Sequence, residues 1–111
     1  MVAFNSRPEN DDDGLVVVVV IVPRVPLGAT VITPTALADC RSKGVDPCDY
    51  LARHESCDWG DLCEEDKQAN DRAMCDGGRL LSAYTVDDDL KLWIITEWDR
   101  SVTTILLPEE Y

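Results

Sequence analysis

Residues 79–107 constrain the fold more than any other stretch. They read RLLSAYTV-DDD-LKLWIITE-WDRS-VTTILL, three strand-like runs parted by two short polar breaks. In the first run Leu81, Ala83 and Thr85 alternate with Leu80, Ser82, Tyr84 and Val86, so two faces separate at the period of a strand. Asp87-Asp88-Asp89 interrupts it, because aspartate is depleted in strands and tolerates turn conformations. The second run sets Leu90, Leu92, Ile94 and Thr96 against Lys91, Trp93, Ile95 and Glu97. Neither set is polar throughout, which predicts a central strand partly covered on both sides. Trp98-Asp99-Arg100-Ser101 supplies a second turn. Val102–Leu107 has the β-branched and aliphatic composition of a third strand, and Pro108 ends it by removing a ladder donor. Short connections make a meander the default topology.

Upstream the pattern changes. Residues 1–14 are polar and acidic and read as a flexible tail. Leu15–Val22, LVVVVVIV, is uninterrupted apolar sequence. Eight residues are too few to cross a membrane, and consecutive β-branched residues disfavour a helix, so a strand is expected. Such a strand is either buried or used to pair copies of the chain, which makes a homo-oligomer through Leu15–Val22 one expectation. Pro23–Gly28 is punctuated as a loop, and Ala29–Ile32 reads as a short strand. Thr33-Pro34 then signals a helix start, a capping hydroxyl followed by proline at the first helical position, with Gly44 as the stop. Asp46-Pro47 repeats the signal for a second helix ending near His54. A third helix is predicted over residues 64–76. Glu64, Glu65 and Asp66 stand in its first turn, Leu62, Ala69, Ala73 and Met74 form its inner stripe, and Gly77-Gly78 terminates it.

The expected fold is therefore α+β: three short helices packed on one face of an antiparallel sheet of four to five strands, one domain over residues 15–111. A chain of 111 residues with 45% apolar content can bury a core. Its 22 acidic residues against 10 basic ones give a net charge of −12. That field repels nucleic acid and anionic membranes, and it favours solubility, cations or a basic protein partner. Five cysteines, with no basic segment leading into an apolar one at the start, fit reduced thiols and a cytoplasmic location.

Several blocks carry a resemblance: Leu27–Val31, Thr33-Pro34 with Ala36-Leu37, Arg53-His54, Asp58–Leu62, Leu81–Tyr84, Trp93–Glu97, Asp99–Ser101 and the ending Leu106–Tyr111. Over Pro26–Tyr111 the chain resembles a family of small uncharacterised proteins carried on plasmids, integrative elements and gene cassettes. Members are sometimes labelled type I restriction modification subunits. This chain lacks the Asn/Asp-Pro-Pro-Tyr/Phe motif of an adenine methyltransferase and is too short for that domain. The resemblance implies a mobile-element origin and supplies no activity.

Three constellations could carry chemistry. His54, Cys57 and Cys63 include zinc-ligand types, but their spacings match paired zinc knuckles poorly, and free cysteine commonly fills cores. The same residues could make a thiol nucleophile with His54 as its base. Asp58-Trp59-Gly60-Asp61 offers a flat aromatic anchor on a tight turn. The alternative is that Trp59 closes one end of the core while Asp61 caps the third helix. Glu97, Trp98, Asp99, Arg100 and Ser101 place two carboxylates, a guanidinium, a hydroxyl and an indole on one hairpin tip, where an Arg100–carboxylate pair stabilising the turn is the simpler reading. No glycine-rich phosphate loop and no basic stripe occur. The pattern favours a non-catalytic binding module without a cofactor, docking an unidentified and basic protein through Asp58, Trp59, Asp61 and Glu97–Arg100. The rival is a small metal- or thiol-dependent enzyme uniting His54, Cys57 and Cys63 with the 97–101 tip.

Overall fold

The computed structural model describes residues 2–5, 17–20 and 23–111. In chain order these form β1 (Val2–Asn5), β2 (Val17–Val20), β3 (Ala29–Ile32), α1 (Pro34–Ser42), α2 (Pro47–Glu55), α3 (Glu64–Asp76), β4 (Leu80–Asp87), β5 (Leu90–Thr96), β6 (Val102–Leu106) and a 3₁₀ turn, Pro108–Glu110. β1 falls within the stretch read as a tail, yet it is a strand, paired antiparallel with β2 from Val2↔Val20 to Asn5↔Val17. Val2-Ala3-Phe4 is too short an apolar run to signal a strand by itself and needs the valine run as its partner. Residues 6–14, and Leu15, Val16, Ile21 and Val22 of the valine run, lie outside the described residues. The expected pairing of copies through Leu15–Val22 falls in part on them.

β4, β5 and β6 make the meander that the alternation predicts, with antiparallel registers running through Leu80↔Thr96 and Ile94↔Ile105. The four-stranded sheet has the order β3-β6-β5-β4. The fold class is α+β as expected, but the sheet is mixed rather than antiparallel. β3 runs parallel to β6, from Ala29↔Val102 to Ile32↔Ile105. Parallel neighbours need a long crossover. Residues 33–79 provide it: the helical stretch carries the chain to the far edge and delivers β4, and hence β6, with the sense of β3.

The helices start and stop where side-chain chemistry dictates. The Thr33 hydroxyl accepts from Ala36 N, and an Asp46 carboxylate oxygen accepts from Cys48 N at 2.9 Å, each followed by proline at the first helical position. α1 ends on Gly44 at φ +68°, with Gly44 N donating to Arg41 O and Val45 N to Cys40 O. α2 ends through the same pair of bonds, Cys57 N to His54 O and Asp58 N to Arg53 O, but Cys57 occupies the left-handed position at φ +66°.

The helices cover one face of the sheet. Ala36 and Cys40 of α1 pack with Tyr84, Leu92, Ile94 and Ile105, joined by Tyr50 and Leu51 of α2. A second cluster gathers Val25, Trp59 and Leu80, with Leu62, Ala73 and Met74 from the α3 side. Ala69, expected on the inner stripe, is exposed, and Asn70 is buried in its place. Its amide explains why. Asn70 Nδ2 donates to Leu81 O at 2.7 Å, and Asn70 Oδ1 accepts from Leu81 N at 3.2 Å, so one side chain does the work of a neighbouring strand.

The rest of the outer edge of β4 is closed as well. Ala83 N donates to Trp59 O, and Asp61 N donates to Ala83 O at 2.7 Å. Two residues further along β4, Asp61 Oδ2 accepts from Thr85 N at 2.8 Å. Gly60, at φ +77°, lets the loop come this close, since a Cβ there would collide with the Ala83 carbonyl and the Tyr84 ring. Replacing Asn70 with alanine should cost about 2 kcal/mol, because it strands two backbone groups on a partly buried edge. Ala69→Ser, one position away and exposed, should shift the urea unfolding midpoint by less than about 0.5 kcal/mol equivalent. Equal effects of the two substitutions would show that the edge contact contributes nothing.

Candidate functional site

His54, the single histidine of the chain, is fully buried under α2 at 0% exposure. It faces Ser82, Thr96 and Thr103, three sheet hydroxyls that share the helix-covered face. His54 Nδ1 lies 2.6 Å from Ser82 Oγ and Nε2 lies 2.9 Å from Thr96 Oγ1. Thr96 Oγ1 lies 2.7 Å from Thr103 Oγ1, and Thr103 Oγ1 donates to the Leu27 carbonyl at 2.7 Å. A carbonyl only accepts, so every donor in the chain is determined. Thr103 gives its proton to Leu27 O and accepts from Thr96. Thr96 accepts from His54 Nε2–H. That leaves Nδ1 unprotonated, as the acceptor for Ser82 O–H. Burial pushes the imidazole pKa down to about 4, so the ring is neutral near pH 7.

This arrangement bears on the metal and thiol readings residue by residue. Both ring nitrogens of His54 are committed to hydroxyls, and Ser82, Thr96 and Thr103 are themselves buried. Among the described residues, no three His, Cys, Asp or Glu side chains stand within reach of one metal ion. All five cysteines are free. Cys57 is half-buried, and burial followed by the nearby Asp71 raises its thiol pKa, which opposes nucleophilic reactivity. Cys63 is the exposed N-cap of α3 and makes no side-chain capping bond.

Asp58, Trp59 and Asp61 each have a hydrogen-bond partner within the protein. Asp58 Oδ2 accepts from Arg53 Nε at 2.7 Å and Oδ1 from Gly60 N at 3.1 Å; the Arg53 bond, chiefly, holds the carboxyl below its ordinary range. The Asp58 carbonyl accepts from Tyr84 O–H at 2.6 Å, and burial pushes that phenol up to about 12. Trp59 is buried, with its ring inclined at 73° to that of His54 and its Nε1 donating to Asp71 Oδ1 at 3.0 Å. Trp59 thus closes the core as the simpler reading expects. Asp61 does not cap α3 and instead seals β4, and hydrogen bonds from Thr85 lower its pKa.

The 97–101 tip sits elsewhere, at the end of β5 and β6. Among the described residues Arg100 makes no carboxylate pair. At φ +61° its guanidinium donates to Ala73 O at 2.9 Å, to Glu97 O at 3.1 Å, to Trp98 O and to Gly78 O, which docks the hairpin on the C-terminal end of α3. Asp99 Oδ1 accepts from Ser101 N and, at 2.6 Å, from Ser101 Oγ. Glu97 lies 3.9 Å from Arg79 Nε. Trp98 alone is free, 70% exposed. The loop at 58–61 lines the outer edge of β4 and the tip packs on the Ala73 and Gly78 carbonyls; among the described residues no side-chain hydrogen bond or ion pair joins the two sets.

What the sequence reading missed is the face of the sheet away from the helices. Its cross-strand rows are Leu81–Ile95–Thr104–Val31 and Ala83–Trp93–Leu106. A concavity of about 200 Å³ opens there among Arg79, Leu81, Trp93, Ile95 and Tyr111. Tyr111 leans on Trp93 with ring centres 5.5 Å apart, and Arg79 lies over the Tyr111 ring and donates to its hydroxyl at 2.6 Å. The signal was present in Trp93 and Ile95, which occupy the supposedly outward positions of β5. Comparison with protein-family models, with curated proteins and with solved structures returns no match.

The buried imidazole has a pH signature. An unfolded chain titrates its histidine near 6.5, while the folded one holds it near 4. Between those values the unfolded state binds a proton that the native state refuses. Stability is therefore whole above the unfolded pKa and falls as pH drops toward the folded one, by about 3 kcal/mol in total. With one histidine in the chain, urea midpoints at pH 6.5 and 5.0 isolate the effect. The His54 ring resonances should stay those of the neutral form at pH 5; a ring that titrates near 6.5 in the folded protein would contradict the buried network.

Proposed function

We propose that this protein is a non-catalytic binding module for a basic protein partner, with the sheet face away from the helices as its contact surface. The observation that carries the reading is a concavity on that face: half-buried Leu81 and Trp93 line it above the buried Ile95, with Tyr111 and Arg79 at its side. A concavity of this size suits one large side chain of a partner better than a small-molecule substrate. The groups that could have done chemistry support the same reading, because His54 is enclosed and Asp58, Asp61, Asp99 and Arg100 are spent on backbone and turn bonds. Charge selects the partner. A net charge of −12 attracts cationic proteins, and Glu64, Glu65 and Asp66 stand exposed in the first turn of α3 without an ion pair among the described residues. A protein of this kind competes with nucleic acid for a basic host or defence protein, in keeping with the mobile-element origin that the resemblance implies.

A lysine-rich helical peptide with a leucine face is a suitable probe. Its dissociation constant should rise at least about tenfold between roughly 50 and 300 mM NaCl. Trp93 fluorescence should change on binding, and Leu81→Glu should weaken binding by about tenfold while leaving the unfolding midpoint near that of the parent. Affinity indifferent to salt, or unchanged by Leu81→Glu, would exclude this mode of binding.

A further inference from the structure

The two edges of the four-stranded sheet are treated in opposite ways. The β4 edge is closed at Leu81, Ala83 and Thr85 by Asn70, the 59–61 backbone and Asp61. On the other edge, Ala29 N donates to Ser101 O at 2.9 Å and Thr33 N to Ile105 O at 3.0 Å. In a parallel ladder this directs residues 29, 31 and 33 toward β6 and turns the N–H and C=O groups of Thr30 and Ile32 outward. Among the described residues nothing pairs with them. β3 also lacks the usual guards of an open edge, a lysine, an internal proline or a bulge.

Charge is the second observation. Residues 25–38, which span β3, form the longest uncharged run of a chain that is 29% charged. Exposure is a third: among the described residues Val31, within β3, is one of three large apolar side chains that stand open to solvent, at 49%.

We propose that β3 pairs antiparallel with β3 of a second copy, about a two-fold axis through Val31, to make a continuous eight-stranded sheet. The register is self-complementary. Thr30 faces Ile32 of the partner copy and Ile32 faces its Thr30, giving two reciprocal pairs of N–H···O bonds. Val31 meets its own counterpart at the close, non-hydrogen-bonded position between them. Each Val31 extends the Leu81–Ile95–Thr104 row of its own subunit, so the two faces away from the helices become one. A copy of the same chain suits this edge because two molecules of charge −12 approach at least cost where neither carries charge. β3 itself carries no carboxylate for a basic partner, so this contact stands independently of the reading proposed above.

The test is the mass in solution of the full chain by light scattering and sedimentation equilibrium. The parent should weigh twice 12.3 kDa. The dimer should tighten as salt rises from about 50 to 500 mM NaCl, because screening removes like-charge repulsion. That is the opposite sense to binding of a cationic peptide. Thr30→Pro deletes an outward N–H and leaves the β3–β6 ladder whole, while Val31→Lys sets two ammonium groups face to face. Each should raise the dimer dissociation constant at least about tenfold while keeping the far-ultraviolet spectrum of the parent. A parent monomeric at all salts, or a Thr30→Pro protein as dimeric as the parent, would overturn the proposal. Loss of the dimer in Val18→Asp with retention in Thr30→Pro would overturn it too and assign the contact to the valine run.

Discussion

Both layers of this protein are fastened at one imidazole that never meets water. A buried neutral histidine is costly unless both nitrogens are satisfied, and here each has a hydroxyl. Because the series ends on the Leu27 carbonyl, its protons can be arranged in only one way. That single arrangement links the 25–28 connection, β6, β5, α2 and β4. It also fixes the register. A slip of one residue along β4, β5 or β6 would turn Ser82, Thr96 or Thr103 to the opposite face and leave His54 unpaired. Apolar side chains in these positions could fill the same volume, but they would not discriminate between neighbouring registers.

The acidic residues follow a related logic. Asp58, Asp61 and Asp99 look like ligands or acid–base groups when read as letters. In the structure each accepts from a backbone amide one or two positions beyond a turn, or across a strand edge. A short carboxylate is well suited to this, since it accepts several bonds and tolerates irregular backbone. The same chemistry that permits catalysis thus closes a sheet edge, and burial and partners decide between the two.

Much of the fold was legible, for identifiable reasons. β4 to β6 are β-branched and aliphatic runs parted by short polar breaks, and Thr33-Pro34, Asp46-Pro47 and Gly44 are local signals whose mechanisms act within a few residues. The parallel pairing of β3 was not legible, because direction across a crossover depends on how three helices turn the chain. Asn70 was passed over for Ala69 because hydrophobic periodicity cannot see an amide that imitates a strand. Cys57 and Arg100 hold left-handed conformations usually left to glycine, so their turns carried no glycine signal. His54 was placed correctly at the end of α2. Its role lay in Ser82, Thr96 and Thr103, whose common face becomes visible only when three strands are set in register. The face away from the helices was half legible, since the mixed character of β5 was noted but nothing in one strand says which side the helices take.

The surface divides by charge in a way that lets one small acidic protein make two kinds of contact. Long-range attraction of a cationic partner needs many uncompensated carboxylates, and those same carboxylates oppose self-association. The conflict is removed if the self-pairing contact uses backbone groups and is stripped of charge, as at β3. It is removed again if that contact leaves the Arg79–Trp93–Tyr111 concavity open, as pairing at the far edge does, since Arg79 and Leu81 lie at the opposite side of the sheet. A dimer built this way would carry two concavities on one continuous face and twice the net negative charge. A cationic protein with a repeated apolar anchor would then bind it more tightly than two separate molecules, because the second contact forms at the effective concentration set by the first. The sealing of β4 is what makes such a dimer closed: with one edge spent on the partner copy and the other on Asn70 and Asp61, no further strand can add.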